Sequence, residues 1–201
     1  MTFFPPDPEI TEPEESENPQ PRWWSSPQGE LPALLPISEI LAVTDHLAIA
    51  LVAVAVYSDG VEFRVDRRLR RNGLPMTEWN ELCSTFMEYM PFAGPSGQAG
   101  RLRYGMVLGN GEKVLADSPY SGAGDPMSEP HGYVLNNQGQ GGGGGGSTYS
   151  GGDQLWLWPV PPAGPIELVV QWPALGVEET RVMLDGTAMR ELTDRAKPYW
   201  P

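Results

Sequence analysis

Arg64, Arg67, Arg68, Arg70 and Arg71 supply five of the chain's 13 lysines and arginines. A guanidinium presents a planar fork of N–H donors that can grip a carboxylate or phosphate through two bonds at once. This cluster is therefore the most chemically pointed feature of the sequence. If its segment is a β-strand, Arg64, Arg68 and Arg70 point away from the face carrying Val61, Phe63 and Val65. One reading is a solvated strand edge, charged so that the sheet does not pair with other chains. The other is a site for an acidic partner. The nearest carboxylates in the chain itself are Glu12, Glu14, Glu15 and Glu17, so a tail that masks the arginines until a partner displaces it is a testable arrangement.

Other candidate chemistry is thinner. The two histidines, His46 and His131, stand on different expected elements, with no paired-ligand spacing around them, and no metal or cofactor is expected. Cys83 falls among Leu82, Phe86 and Met87 on a helical face, which makes it a core thiol rather than a nucleophile. Six consecutive glycines at 141–146 lack the lysine and the following helix of a phosphate loop. Gly122 and Gly124 precede Pro126 and fall short of a dinucleotide fingerprint. Trp156, Trp158 and Trp172 would stack on a sugar if they lay on an open face, or fill the core beside Ile166, Leu168 and Val170. Asp45, Asp125 and Glu178 or Glu179 are the acids available for a two-carboxylate hydrolase, with no spacing that singles them out.

The elements that must position these groups follow from periodicity. Leu47 to Tyr57 alternates large and small residues with a change of phase at Leu51–Val52, the signature of a strand carrying a bulge. Ser58-Asp59-Gly60 turns the chain into Val61–Asp66, which predicts a β-hairpin. Trp79, Leu82, Cys83, Phe86, Met87 and Met90 recur at helical spacing between a capping Thr77 and a stop at Pro91. A second hairpin is expected over 102–108 and 112–116. Three further strands are expected at 154–158, 166–172 and 179–184, and a short helix over about 187–196. The glycine-rich stretch 136–152 reads as a flexible surface loop, because glycine gains nothing from packing and loses the most entropy on ordering. The sum is a mainly β fold, an antiparallel β-sandwich (Ig-like or jelly-roll-like) with one amphipathic helix and a short C-terminal helix.

Residues 1–30 are acidic and proline-rich with few aliphatics, and are expected to form a disordered tail before a single domain at 31–201. Trp23 and Trp24 interrupt that composition and are expected to dock on the domain or on a partner. The formal net charge of −13 opposes non-specific binding to nucleic acid and to anionic membranes. The run from Leu47 to Tyr57 is too short to span a bilayer as a helix, and Met1-Thr2-Phe3-Phe4 opens no leader sequence. One cysteine cannot make an internal disulfide, which points to a reducing, cytoplasmic setting.

The stretches Leu155-Trp-Leu-Trp-Pro-Val-Pro-Pro-Ala-Gly-Pro-Ile and Gln171-Trp-Pro-Ala-Leu-Gly-Val-Glu-Glu-Thr-Arg-Val resemble a segment of uncharacterised actinobacterial proteins. The resemblance covers about the last 50 residues and the hairpin around Asp59-Gly60, and it carries no activity. The residues themselves favour a non-catalytic protein-interaction module, of adaptor, assembly or immunity type. It would use an arginine-rich strand edge (Arg64, Arg67, Arg68, Arg70, Arg71), mobile loops, and Trp23 and Trp24 to meet a protein with an acidic surface. A carbohydrate or small-ligand module using tryptophans is the alternative, and a carboxylate-pair hydrolase the second.

Overall fold

A computed structural model describes residues 20–87, 100–117, 125 and 127–200. Its strands are β1 (Glu30–Leu31), β2 (Ala33–Leu35), β3 (Glu39–Val43), β4 (Leu47–Val56), β5 (Val61–Arg70), β6 (Arg103–Val107), β7 (Lys113–Asp117), β8 (Val134–Gly145), β9 (Thr148–Trp158), β10 (Pro165–Trp172), β11 (Val177–Asp185) and β12 (Lys197–Pro198). Two helices, α1 (Met76–Met87) and α2 (Gly186–Leu192), complete it.

The fold is mainly β, as its alternating patterns require. The expected antiparallel two-sheet sandwich is replaced by one curled, mixed sheet. Ten strands join in the order β11-β10-β6-β7-β8-β9-β5-β4-β2, with β3 also on β4, and β7 and β8 pair in parallel. The sheet's two ends meet where Thr180 Oγ1 of β11 donates to the Leu41 carbonyl of β3 at 2.9 Å. The inward side chains of all these strands form one core inside the curl. β1 and β12 make a separate two-stranded ribbon.

The first hairpin forms as the pattern predicts, and its bulge lies at Leu51/Ala53. Leu47, Ile49 and Leu51 point inward, and so do Val54 and Val56. Val52 is the extra residue and faces out, where its size alone placed it inside. The Tyr57 N–H closes the turn on the Gly60 carbonyl at 2.9 Å. Gly60 leaves no room for a side chain, since a Cβ there would lie 2.4 Å from the Trp156 ring.

The glycine-rich stretch is not a loop. Gly141 to Gly145 belong to β8, which runs antiparallel beside β9 down to Gly145 opposite Thr148. Glycine is required there by close approach rather than by freedom. A Cβ on Gly142 would meet the Ser150 carbonyl oxygen at 2.3 Å, and one on Gly144 the Thr148 carbonyl oxygen at 2.4 Å.

α1 begins at Met76, so Thr77 lies inside it, and it buries Trp79, Cys83 and Phe86 while Met87 faces solvent. The expected end at Met90–Pro91 lies outside the described residues. α1 packs at the Trp172 end of β10 and α2 at its Pro165 end. α2 is capped by Asp185, whose Oδ1 accepts from the Thr187 and Ala188 N–H groups, and a single 3₁₀ turn at Thr193–Arg195 follows it. Of the residues assigned above to the tail, Arg22, Trp23, Trp24 and Ser26 bond to the sheet and Glu30 lies in β1. No helix among the described residues is long and apolar enough to cross a membrane.

Candidate functional site

β5 is not an edge strand: it lies between β4 and β9, which corrects the expected arginine-rich edge. Its alternation splits the arginines between two environments. Arg67 shares the inward side with Phe63, Val65 and Leu69, so it is buried rather than offered to a partner. Its Nε lies 2.7 Å from Asp153 Oδ2, which also accepts the Tyr104 hydroxyl at 2.8 Å. The guanidinium carbon stands 5.0 Å from the Phe86 ring centre and 5.6 Å from that of Trp172, a double cation–π contact. Burial pushes the Asp153 carboxyl above its ordinary value, opposed by the charge of Arg67 and the Tyr104 bond. The enclosure of this network makes it a strut between sheet and helix.

The outward arginines alternate with acids. Arg64 Nε donates to Glu62 Oε1 at 2.7 Å, and that bond raises the Arg64 pKa. Arg68 pairs with Asp66. Arg70 Nε donates to the Asp45 carbonyl at 2.9 Å, and Arg71 Nε to the Leu74 carbonyl at 2.6 Å. All five arginines thus have partners in their own chain. Only Arg68 and Arg70 stand together at an exposed end of the sheet's outer face.

That outer face has two halves. At one, Trp156 lies edge-on to Tyr57, with ring centres 5.6 Å apart. The chain's own segment 20–26 covers it. The Arg22 carbonyl accepts from Trp156 Nε1 at 2.8 Å and the Trp24 carbonyl from Gln138 Nε2 at 3.1 Å, while the Trp23 carbonyl accepts from Asn136. Ser26 Oγ donates to Glu62 Oε2 at 2.7 Å, and the Trp23 ring rests 5.8 Å from that of Trp158. Trp23 and Trp24 therefore dock on the domain itself.

The other half is bare of described chain. Along β4 the outward residues are Ala48, Ala50 and Ala53, with Ala55 under the covered half. They form a shallow trough. On one side runs the charged row of β5; on the other, Leu34 opposite Ala55, Ile40 opposite Ala50 and Val43 opposite Ala48 stand 62%, 60% and 64% exposed. Val52 adds a further exposed apolar group. No pattern along the sequence marks this ridge, because each residue is ordinary alone and only the cross-strand register aligns them.

At the Arg68–Arg70 end lies a cleft of about 480 Å³ whose lining includes Val43, Ala48, Arg68, Arg70, Gly143 and Ser150.

The remaining candidates do not converge. Trp156 and Trp172 are each 1% exposed and offer no face to a sugar, while Trp158 is half-buried against Trp23. Asp125 holds a local turn through the Met127 N–H, and Glu179 is bound to Arg181 on β11. His46 Nδ1 lies 3.3 Å from the Arg70 carbonyl. Burial pushes the Cys83 thiol up, away from the reactive thiolate. Among the described residues no three histidine, cysteine or acidic side chains are grouped to hold a metal. Gly122 and Gly124 lie outside the described residues. Comparison with family models, curated proteins and solved structures returns no match for this chain.

Proposed function

We propose that the protein is a non-catalytic interaction module of adaptor, assembly or immunity type, and that it binds an extended segment of another protein in the trough along β4. The observation that carries this reading is the half-covered outer face. One half is occupied by residues 20–26, which present backbone carbonyls and an indole to the sheet, while the adjoining apolar half has no described occupant. A contiguous apolar strip rimmed by charge is the usual anatomy of a protein-binding surface. The partner segment carries apolar side chains for Leu34, Ile40 and Val43 and carboxylates for Arg68 and Arg70. A cytoplasmic setting is part of the proposal, supported by a lone, buried cysteine.

The test is selection of displayed peptides on the immobilised full chain, set against a Leu34→Lys/Ile40→Lys variant of matched circular dichroism. Enrichment of peptides combining apolar and acidic residues by the wild type, and not by the variant, is the expected result. Failure to enrich, or equal enrichment by both proteins, would overturn the reading.

A further inference from the structure

We infer that the cleft at the Arg68–Arg70 end of the trough binds a monocarboxylate carried on an apolar body, an inference that deepens the trough reading by naming what this end takes. The cleft follows from one cross-strand row. Val43 of β3 stands opposite Ala48 of β4, Ala48 opposite Arg68 of β5, Arg68 opposite Ser150 of β9, and Ser150 opposite Gly143 of β8. Three of these five side chains are small or missing, so the row is a depression with Arg68 at its centre. Its volume of about 480 Å³ lies in the range of small-molecule sites.

The lining fixes the ligand class. Val43 and the Ala48 methyl supply hydrocarbon at the cleft wall, which calls for an apolar body. Arg68 and Arg70 supply the cationic donors, and the Thr148 and Ser150 hydroxyls stand beside them. Both guanidinium groups are steadied beforehand, one by Asp66 and the other by the Asp45 carbonyl, so less freedom is lost when a ligand binds. Each uses one N–H in that contact out of the five a guanidinium carries. A single negative charge suits the site better than a phosphate dianion. Asp66 already shares Arg68, and the formal net charge of −13 repels a second charge. The carboxylate can belong to a free organic acid or to the C-terminus of a peptide.

Gly143 makes the test clean. Its backbone is free of positive φ and a Cβ there meets nothing within 4 Å, so a Gly143→Leu side chain leaves the strand unhindered and takes up space in the cleft. Gly141 is equally open but does not line the cleft, and Gly141→Leu is the control. Backbone amide shifts of the full chain are followed by NMR during titration with phenylbutyrate and with phenylbutyramide. Saturable shifts at Ala48, Arg68, Gly143 and Ser150 are expected, with the amide about tenfold weaker or worse. Gly143→Leu should lose about tenfold in affinity and Gly141→Leu should not. The Leu34→Lys/Ile40→Lys variant should bind phenylbutyrate as the wild type does, because neither residue lines the cleft, so loss of peptide binding and loss of carboxylate binding are told apart. A pentapeptide Ala-Leu-Ala-Val-Leu with a free C-terminus, binding more tightly than phenylbutyrate, assigns the carboxylate to a chain end; weaker binding assigns it to a free acid. No saturable shift, equal binding of the amide, or unchanged binding by Gly143→Leu overturns the inference.

Discussion

Arg67 of β5 meets Asp153 on the neighbouring strand β9, Nε to Oδ2 at 2.7 Å, and the pair is shut away from solvent beneath Phe86 of α1. Removing one partner strands a buried charge, whereas removing both does not. Arg67→Met and Asp153→Leu should each cost about 3–5 kcal/mol, and the double variant appreciably less than their sum. Denaturant unfolding of the three variants checks this. A double variant as unstable as the sum would mean that the two side chains act independently.

Asp59 Oδ1 is buried without a hydrogen-bond partner, and burial raises its carboxyl above the ordinary value. A folded pKa above the unfolded one means that the native state favours the protonated acid. That contribution to stability is full below the unfolded pKa and is lost as pH rises through the folded pKa. Asp59→Asn should therefore stabilise at pH 7, by less than about 1 kcal/mol because the group is half-exposed, and the gain should vanish near pH 3. Unfolding midpoints of both proteins at the two pH values decide it.

The glycine run should respond to mutation with a two-residue period. Gly142→Ala and Gly144→Ala drive a methyl group into the β9 backbone and should cost about 1–3 kcal/mol. Gly141→Ala, Gly143→Ala and Gly145→Ala meet open space and should be neutral or stabilising by about 0.4–1 kcal/mol. A thermal-shift series across the five positions should show the alternation. A flat series would return the stretch to the status of a loop.

Residues 20–26 are held partly by the Trp156 indole N–H on the Arg22 carbonyl. Trp156→Phe keeps an aromatic ring and drops that bond, at a cost of about 1 kcal/mol. Local release of the segment should speed tryptic cleavage after Arg22 relative to cleavage elsewhere. Unchanged relative cleavage would mean that the other contacts suffice.

The hairpins were legible because their alternation is strict, and the bulge at Leu51–Val52 because it breaks that alternation at one point. The burial of Arg67 was equally open to reading: it shares parity with Val61, Phe63, Val65 and Leu69, just as Asp153 does with Leu155 and Leu157. Residue type, a charge in a cluster of charges, masked that signal. The strand status of Gly141–Gly145 was hidden for a different reason, since glycine carries no side chain to alternate and its role is set by the β9 backbone beside it. The apolar ridge and the cleft depend on register across strands that are far apart in sequence, and a pattern along one strand does not contain them. Parallel pairing of β7 and β8 was hidden in the same way.

The Thr180–Leu41 contact joins residues 139 positions apart. During synthesis the first hairpin leaves the ribosome long before the strand that meets its neighbour, so the apolar flank of β3 and β4 waits uncovered while most of the chain is made. Translation therefore has an interval in which this surface is exposed to whatever is nearby, and a chaperone or an early-arriving partner has its best access then.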